Sequence, residues 1–231
     1  MRELIAIIKK DFKESILLNP IQIIIVFAVM LFLFYMMMDL KQLAAFPGIK
    51  KLLLTFETIP LIILMSLNTL MEMFYKERIR RGFEAIMATG TSLEKIWIGK
   101  TLAVILPIYV VYLISLLLSL AIKSSWGILK NPGLAVEALI TAPLVAFALI
   151  FLIGITFMIS EKGRAVITGL FYTFFAILFF GNFLMKKLLF LMKISVLWFN
   201  ITLLSLAVIL FVFALLWIKN LDREKIILIS E

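Results

Sequence analysis

No residue between positions 194 and 218 carries a charge, and a stretch of that kind admits few structures. About 20 apolar residues in a helix cross a hydrocarbon core near 30 Å thick. Lipid offers no partner to a bare N–H or C=O, so a run that enters it must satisfy its own backbone as a helix. Five other runs have similar character. Residues 21–38 are uncharged and bounded by Pro20 and Asp39, whereas residues 52–74 carry Glu57 near one end and Glu72 near the other. Residues 101–122, 138–160 and 165–185 complete the set. The sequence therefore predicts an all-α polytopic membrane protein with six transmembrane helices. The second span has the shortest uncharged centre, and its failure to cross would invert everything after it.

Composition supports lipid as the solvent. The chain is 64% hydrophobic and 16% charged, with a mean hydropathy of +1.16. A soluble domain carries about 25% charged residues. No cysteine is present, which excludes a disulfide framework and any Cys-based metal or redox site. No histidine is present either, removing the usual zinc ligand and the usual general base. No cofactor and no enzymatic chemistry are expected of this chain. The net charge of +9 raises nucleic acid as a partner, but the basic residues sit at the ends of apolar runs. Anionic lipid headgroups are the simpler match, and no nucleic-acid partner is expected. The first apolar run follows mixed residues and precedes no small-residue cleavage site, so no cleavable signal peptide is expected.

Orientation follows from the excess of basic residues on the cytoplasmic side of membrane proteins. With the N-terminus inside, 15 of the 23 basic residues fall inside and eight outside, and all six arginines are inside. Both termini are expected in the cytoplasm, with residues 219–231 forming a cytoplasmic tail. The compartment expected is the plasma or inner membrane.

Three segments are not simple spans. In residues 1–19, Ile5, Ile8, Phe12 and Ile16 recur at helical spacing, with Glu3, Lys9, Lys10, Lys13 and Glu14 over the remainder. That is an amphipathic interfacial helix, ended by Asn19-Pro20. It serves either as a membrane-surface anchor or as a strut between a cytoplasmic partner and the first span. The loop 75–100 opens on Lys76-Glu77-Arg78-Ile79-Arg80-Arg81 and then places Phe83, Ile86 and Met87 on one helical face. Gly90 can end that short helix in the left-handed conformation. Thr91 with Glu94 three residues on reads as a capping box that restarts a helix into the third span. The short helix is either a knob presented to a partner or an element lying on the bilayer. Residues 182–193, with Lys186-Lys187 between apolar pieces, read as an interfacial or re-entrant outer element, or as a longer helix with snorkelling lysines. Pro60, Pro107 and Pro143 fall inside spans two, three and four. They are expected to kink these helices, and the sequence assigns them no specific role.

Residues 75–100 resemble the permease subunits of type-2 ABC exporters. Those proteins carry a charged stretch, a Glu-x-Leu-Leu-x-Thr-like helix and then Glu-Ile-Leu-Leu-Gly-Lys at the start of span three. Here the corresponding residues are Glu84-Ala85-Ile86-Met87-Ala88-Thr89 and Glu94-Lys95-Ile96-Trp97-Ile98-Gly99-Lys100. The family usually has Gly-Thr before the helix, where this chain has Arg81-Gly82, and Pro after the Thr, where it has Gly90. The likeness extends to the order of amphipathic helix, six spans and short loops. It implies that Phe83, Glu84, Ile86, Met87, Ala88 and Thr89 form a coupling helix docked on a separate ATP-binding subunit. It also implies a second permease copy or paralogue, with ATP bound by the partner alone. Gly99-Lys100-Thr101 resembles the tail of a phosphate-binding loop, but Glu94 stands where that loop needs glycine, and the residues open a membrane helix. ATP binding by this chain is therefore not expected.

The few ionisable residues in the spans, Glu57, Glu72 and Glu137, are expected near span ends. Their scarcity suits an apolar or amphipathic cargo such as a lipid, drug or peptide. An ATP-independent channel or secondary carrier is the rival reading, with Glu57 or Glu137 handling ions. An intramembrane enzyme or scaffold is a third reading, disfavoured by the absence of a nucleophile–base arrangement.

Overall fold

A computed structural model describes residues 5–12, 24, 27–28, 31, 58–60, 62–63, 65–67, 69–74, 88, 90–122, 130–159, 169 and 195–221. Among these residues every regular element is helical. A shorter apolar helix, α1 (Thr58–Phe74), precedes three long ones: α2 (Leu93–Ile122), α3 (Pro132–Ile159) and α4 (Val196–Lys219). Each of the three long helices is long and apolar enough to cross a membrane. At 1.5 Å per residue the shortest of them extends for roughly 36 Å. Residues 5–12 are helical as well. Of the expected spans one and five, only Ile24, Phe27, Ala28, Leu31 and Gly169 are described, all helical. The outer element 182–193 and the tail beyond Leu221 lie outside the described residues.

Local sequence explains where the helices begin. Asn131 caps α3, its Oδ1 accepting from the N–H groups of Gly133 at 3.0 Å and Leu134 at 3.4 Å. Pro132 occupies the first helical position, where a missing N–H costs nothing. The helix therefore starts six residues before Ala138, and Glu137 lies within α3. Ser195 caps α4 by accepting from Trp198 N–H at 3.4 Å. In α4, the exposed Trp198 and Trp217 stand near opposite ends, roughly 28 Å apart along the axis. That separation matches the hydrocarbon thickness, and tryptophan favours the two membrane–water boundaries.

The helices pack around α3, the most buried of the three, while α4 is the least buried and presents most of its apolar surface outward. Aromatic contacts run across the stack. Trp97 of α2 meets Phe151 of α3 edge-on at 5.1 Å, and Phe151 meets Phe211 of α4 in the same way at 5.1 Å. The Trp97 indole N–H also donates to Phe151 O at 3.0 Å. Gly154 permits this closeness, because a Cβ there would stand 3.1 Å from Thr101 Oγ1 and 3.3 Å from Trp97 Nε1. Small residues bring membrane helices together in this way, where no hydrophobic force drives one helix onto another.

Enlarging Gly154 tests that contact. Gly154→Leu is expected to destabilise the protein by about 1–3 kcal/mol through overpacking, and Gly154→Ala by less. Thr101 Oγ1 is buried with no hydrogen-bond partner, so Thr101→Ala removes the nearest obstacle at little cost. Thermal unfolding in detergent should show Gly154→Ala milder in a Thr101→Ala background than alone.

Candidate functional site

Two buried polar centres stand out in this apolar protein. The first joins the N-terminal helical residues to the base of α2. Asp11 and Lys100 form a salt bridge at 3.1 Å, with side chains 3% and 1% exposed. Asp11 lies on the helix of residues 5–12 beside Phe12 and Ile7, which pack on the main core. Lys100 sits two turns into α2, between the buried Gly99 and Thr101. In a low-dielectric interior the pair fixes the register of one segment on the other, since neither charge tolerates loss of its partner.

The start of α2 lies just before this bridge. Gly90 has φ +79°, the left-handed region, and a Cβ there would meet nothing within 4 Å, so the constraint is on the backbone alone. The helix begins at Leu93, and the residue directly before it is Ser92. Ser92 Oγ accepts from Lys95 N–H at 3.4 Å, and Ser92 O accepts from Ile96 N–H at 3.2 Å. Ser92 thus caps the helix start, next to the Thr91 of the expected capping box. Thr91 beside it is buried. Glu94 lies in the first turn, where a carboxylate suits the positive end of the helix dipole. Ala88 is helical and exposed. Phe83, Glu84, Ile86, Met87 and Thr89 lie outside the described residues.

The second centre lies between α2 and α3, and Pro143 creates it. Residues 137–141 form a π-turn, in which Ala142 N–H reaches Glu137 O. Proline at 143 has no N–H to give to Leu139 O in an α-helical bond, or to Ala138 O in a π-helical one. Two tyrosines one turn apart on α2 supply those donors. Tyr109 Oη donates to Leu139 O and Tyr112 Oη to Ala138 O, each at 2.7 Å. Their rings stack 6.2 Å apart at 14°, and Phe147 meets Tyr109 edge-on at 5.4 Å. Thr58 of α1 lies against the same centre, its Oγ1 3.4 Å from Tyr112 Oη.

The π-turn continues into α4. Thr141 Oγ1 donates to Asn200 Oδ1 at 3.0 Å, and Asn200 Nδ2 donates to Gly133 O at 2.8 Å. Gly133 allows that approach, because a Cβ there would collide with Val196 Cγ1 at 2.8 Å. Glu137, at the first position of the π-turn, is completely buried. It lies five residues after the start of α3 at Pro132, near that end of the helix, and is packed inside the protein there. Sequence reading named Glu137 and Pro143 but not Asp11, Tyr109, Tyr112, Thr141 or Asn200. The sequence shows the tyrosines only as two phenols three residues apart, and their facing onto the proline-containing helix appears only in the fold.

Comparison with known protein families, with curated proteins and with solved structures finds no match to this chain. Among the described residues no group of three or more acidic, histidine or cysteine side chains could hold a metal ion.

Both centres yield measurable expectations. Asp11→Ala leaves a buried lysine without its salt bridge and should cost about 3–5 kcal/mol, whereas the double variant D11L/K100M should recover most of that loss. Thermal unfolding in detergent measures both. Tyr109→Phe should cost about 1–3 kcal/mol by stranding Leu139 O. Pro143→Ala restores an N–H at that position, so the same Tyr109→Phe change should cost distinctly less in a Pro143→Ala background. Equal costs in the two backgrounds would show that Tyr109 does not stand in for the missing proline donor.

Proposed function

We propose that this chain is the membrane-spanning permease subunit of an ATP-driven exporter of the type-2 ABC class. In this reading it has six spans and cytoplasmic termini, pairs with a second permease copy or paralogue, and works with a separate ATP-binding subunit. The likeness of residues 84–89 and 94–100 to the family's pattern supports the assignment. The observation that carries most weight is the Asp11–Lys100 bridge, because it ties the N-terminal helix to α2 directly after the coupling segment.

The mechanics follow from that arrangement. A force applied to residues 83–89 passes the Gly90 turn and enters α2, which is continuous from Leu93 to Ile122. Through Lys100 the same force reaches the N-terminal helix, so the two cytoplasmic elements move together. Through Tyr109 and Tyr112 it reaches the π-turn of α3, and through Thr141 and Asn200 it reaches α4. Nucleotide-driven closure of the partner subunits would thus re-orient three spans at once. ATP chemistry belongs to the partner, and this chain contributes the pathway.

The second reading, an ATP-independent channel or carrier, is favoured by one observation, the complete burial of Glu137 inside an apolar helix. Solute flux by the purified chain alone, driven by an ion gradient in vesicles, would decide for it.

Affinity purification from gently solubilised native membranes tests the exporter reading. The full chain should recover an ATP-binding subunit, and Phe83→Asp, which charges the apolar face of the coupling segment, should reduce that recovery by roughly tenfold or more. Recovery unchanged by the substitution moves the contact elsewhere. Absence of any ATPase, even after crosslinking in intact membranes, contradicts the reading.

A further inference from the structure

Hydroxyls in these helices bond in two ways. Ser66, Ser115, Ser119, Thr202 and Ser205 each donate to the carbonyl four residues earlier on their own helix. Such bonds travel with the helix and survive its movement. Tyr109 and Tyr112 instead donate across from α2 to carbonyls of α3 beside Pro143. They therefore constrain how α3 moves on α2.

The two carbonyls they meet are not equivalent. In an α-helical register Leu139 O would pair with residue 143, and proline has no N–H to offer. Tyr109 is needed there even when α3 is regular. Ala138 O differs, because its α-helical donor is Ala142 N–H, which the π-turn sends to Glu137 O instead. Tyr112 thus holds a carbonyl that α3 could satisfy from its own backbone. A second partner for the phenol stands ready on α1. Thr58 Oγ1 is buried and lies 3.4 Å from Tyr112 Oη, long beside the usual range of about 2.5–3.0 Å for paired hydroxyls. A small rotation of the phenol closes that gap. A buried hydroxyl is costly to strand, so a waiting acceptor lowers the cost of leaving α3.

We propose that residues 137–141 form a two-register switch in α3, latched by Tyr112 and pivoting on Tyr109. In the register described here, Tyr112 donates to Ala138 O and Ala142 N–H to Glu137 O. In the other, the turn is α-helical: Ala142 N–H donates to Ala138 O, Thr141 N–H to Glu137 O, and Tyr112 to Thr58 Oγ1. Tyr109 stays on Leu139 O throughout. Each of these groups keeps a partner in both registers, as lipid surroundings require. Conversion shifts the start of α3 by one residue of register, roughly 100° of turn and about 1.5 Å of rise. The later part of α3 stays where Trp97 and Gly154 fix it on α2. Asn200, bonded to Gly133 O, carries the movement to the start of α4. The switch rests on these bonds and not on the exporter reading.

The experiment measures spin-label distances along α3 in the purified full chain, held in phosphatidylcholine nanodiscs and diluted with unlabelled chain. No cysteine is present, so Lys130→Cys and Thr156→Cys place one label on each side of the turn. They are roughly 39 Å apart along a straight helix. Tyr112→Phe withdraws the latch and should raise the share of a second distance roughly fivefold or more. Thr58→Val keeps the side-chain shape but withdraws the waiting partner, and should leave only the first distance. The same distribution in wild type and Tyr112→Phe overturns the proposal. So does a second distance that persists undiminished in Thr58→Val or grows in both variants, which would show general loosening instead of a switch.

A second measurement covers the case in which Tyr112→Phe does not fold. Amide hydrogen exchange, read by mass spectrometry, compares the wild type with Thr58→Val. Peptides covering residues 137–144 should exchange roughly fivefold more slowly in the variant, because the register change that opens their bonds is disfavoured. Peptides covering residues 146–155 should be unaffected. Equal exchange at 137–144 in the two proteins overturns the proposal. Neither arm involves an ATPase. Failure here therefore leaves the exporter reading standing, and failure of co-purification leaves the switch standing.

Discussion

Every carbonyl in α2, α3 and α4 must find its donor inside the protein, because lipid offers none. Pro143 removes one such donor beside the register shift of the π-turn, which leaves Ala138 O and Leu139 O to other partners, and much of the polar architecture follows from that repair. The π-turn at residues 137–141 places Ala138 O and Leu139 O toward α2, where Tyr109 and Tyr112 meet them. The same turn aims Thr141 at Asn200, and Asn200 in turn holds Gly133 near the start of α3. One missing N–H thus determines which faces of three helices confront each other. The bonds are directional, so they specify a register that uniform apolar surfaces would leave free to slide or rotate.

At the other end of α2 the fixing element is ionic. Asp11 and Lys100 are buried together, and such a pair contributes more to a unique arrangement than to raw stability. Beside the bridge, one turn earlier on α2, the contact is aromatic and close, with Trp97, Phe151 and Phe211 in line and Gly154 opening the space. α2 is therefore held at residues 97–101 and again near its middle, at Tyr109 and Tyr112. α4 differs, since it is held along one face while its other faces are apolar and exposed, as suits a helix bordering lipid.

Much of the helical class was legible because apolar runs in long helices leave a signal that composition alone carries. Three of the expected spans overlap helices of crossing length, at Leu93–Ile122, Pro132–Ile159 and Val196–Lys219. Helix starts were less legible. Asn131-Pro132 reads in retrospect as a cap followed by a first-position proline, yet a hydropathy window places the boundary at Ala138, where the charge-free run begins. The capping role of Ser92 was not legible because three of the residues from 89 to 92 are hydroxyl-bearing and the pattern does not choose among them. Least legible was the polar interior. Asp11 reads as one more charge on an amphipathic segment, and its partner Lys100 lies 89 residues away. Tyr112 and Pro143 are each ordinary in a membrane helix. Only the facing of α2 on α3 makes them complementary, and one sequence carries no record of that facing.

The account rests on α2 and α3 crossing a bilayer in opposite directions, with the polar centre toward one side and the Asp11–Lys100 bridge toward the other. Because the chain contains no cysteine, single-cysteine labelling addresses this directly. Ala88→Cys, Lys130→Cys and Asn220→Cys place reporters before α2, between α2 and α3, and after α4, at exposed positions. In intact cells a membrane-impermeant maleimide should label residue 130 from outside, and label residues 88 and 220 only after permeabilisation. Labelling of 88 and 130 from the same side would show that α2 does not cross, and would contradict the account.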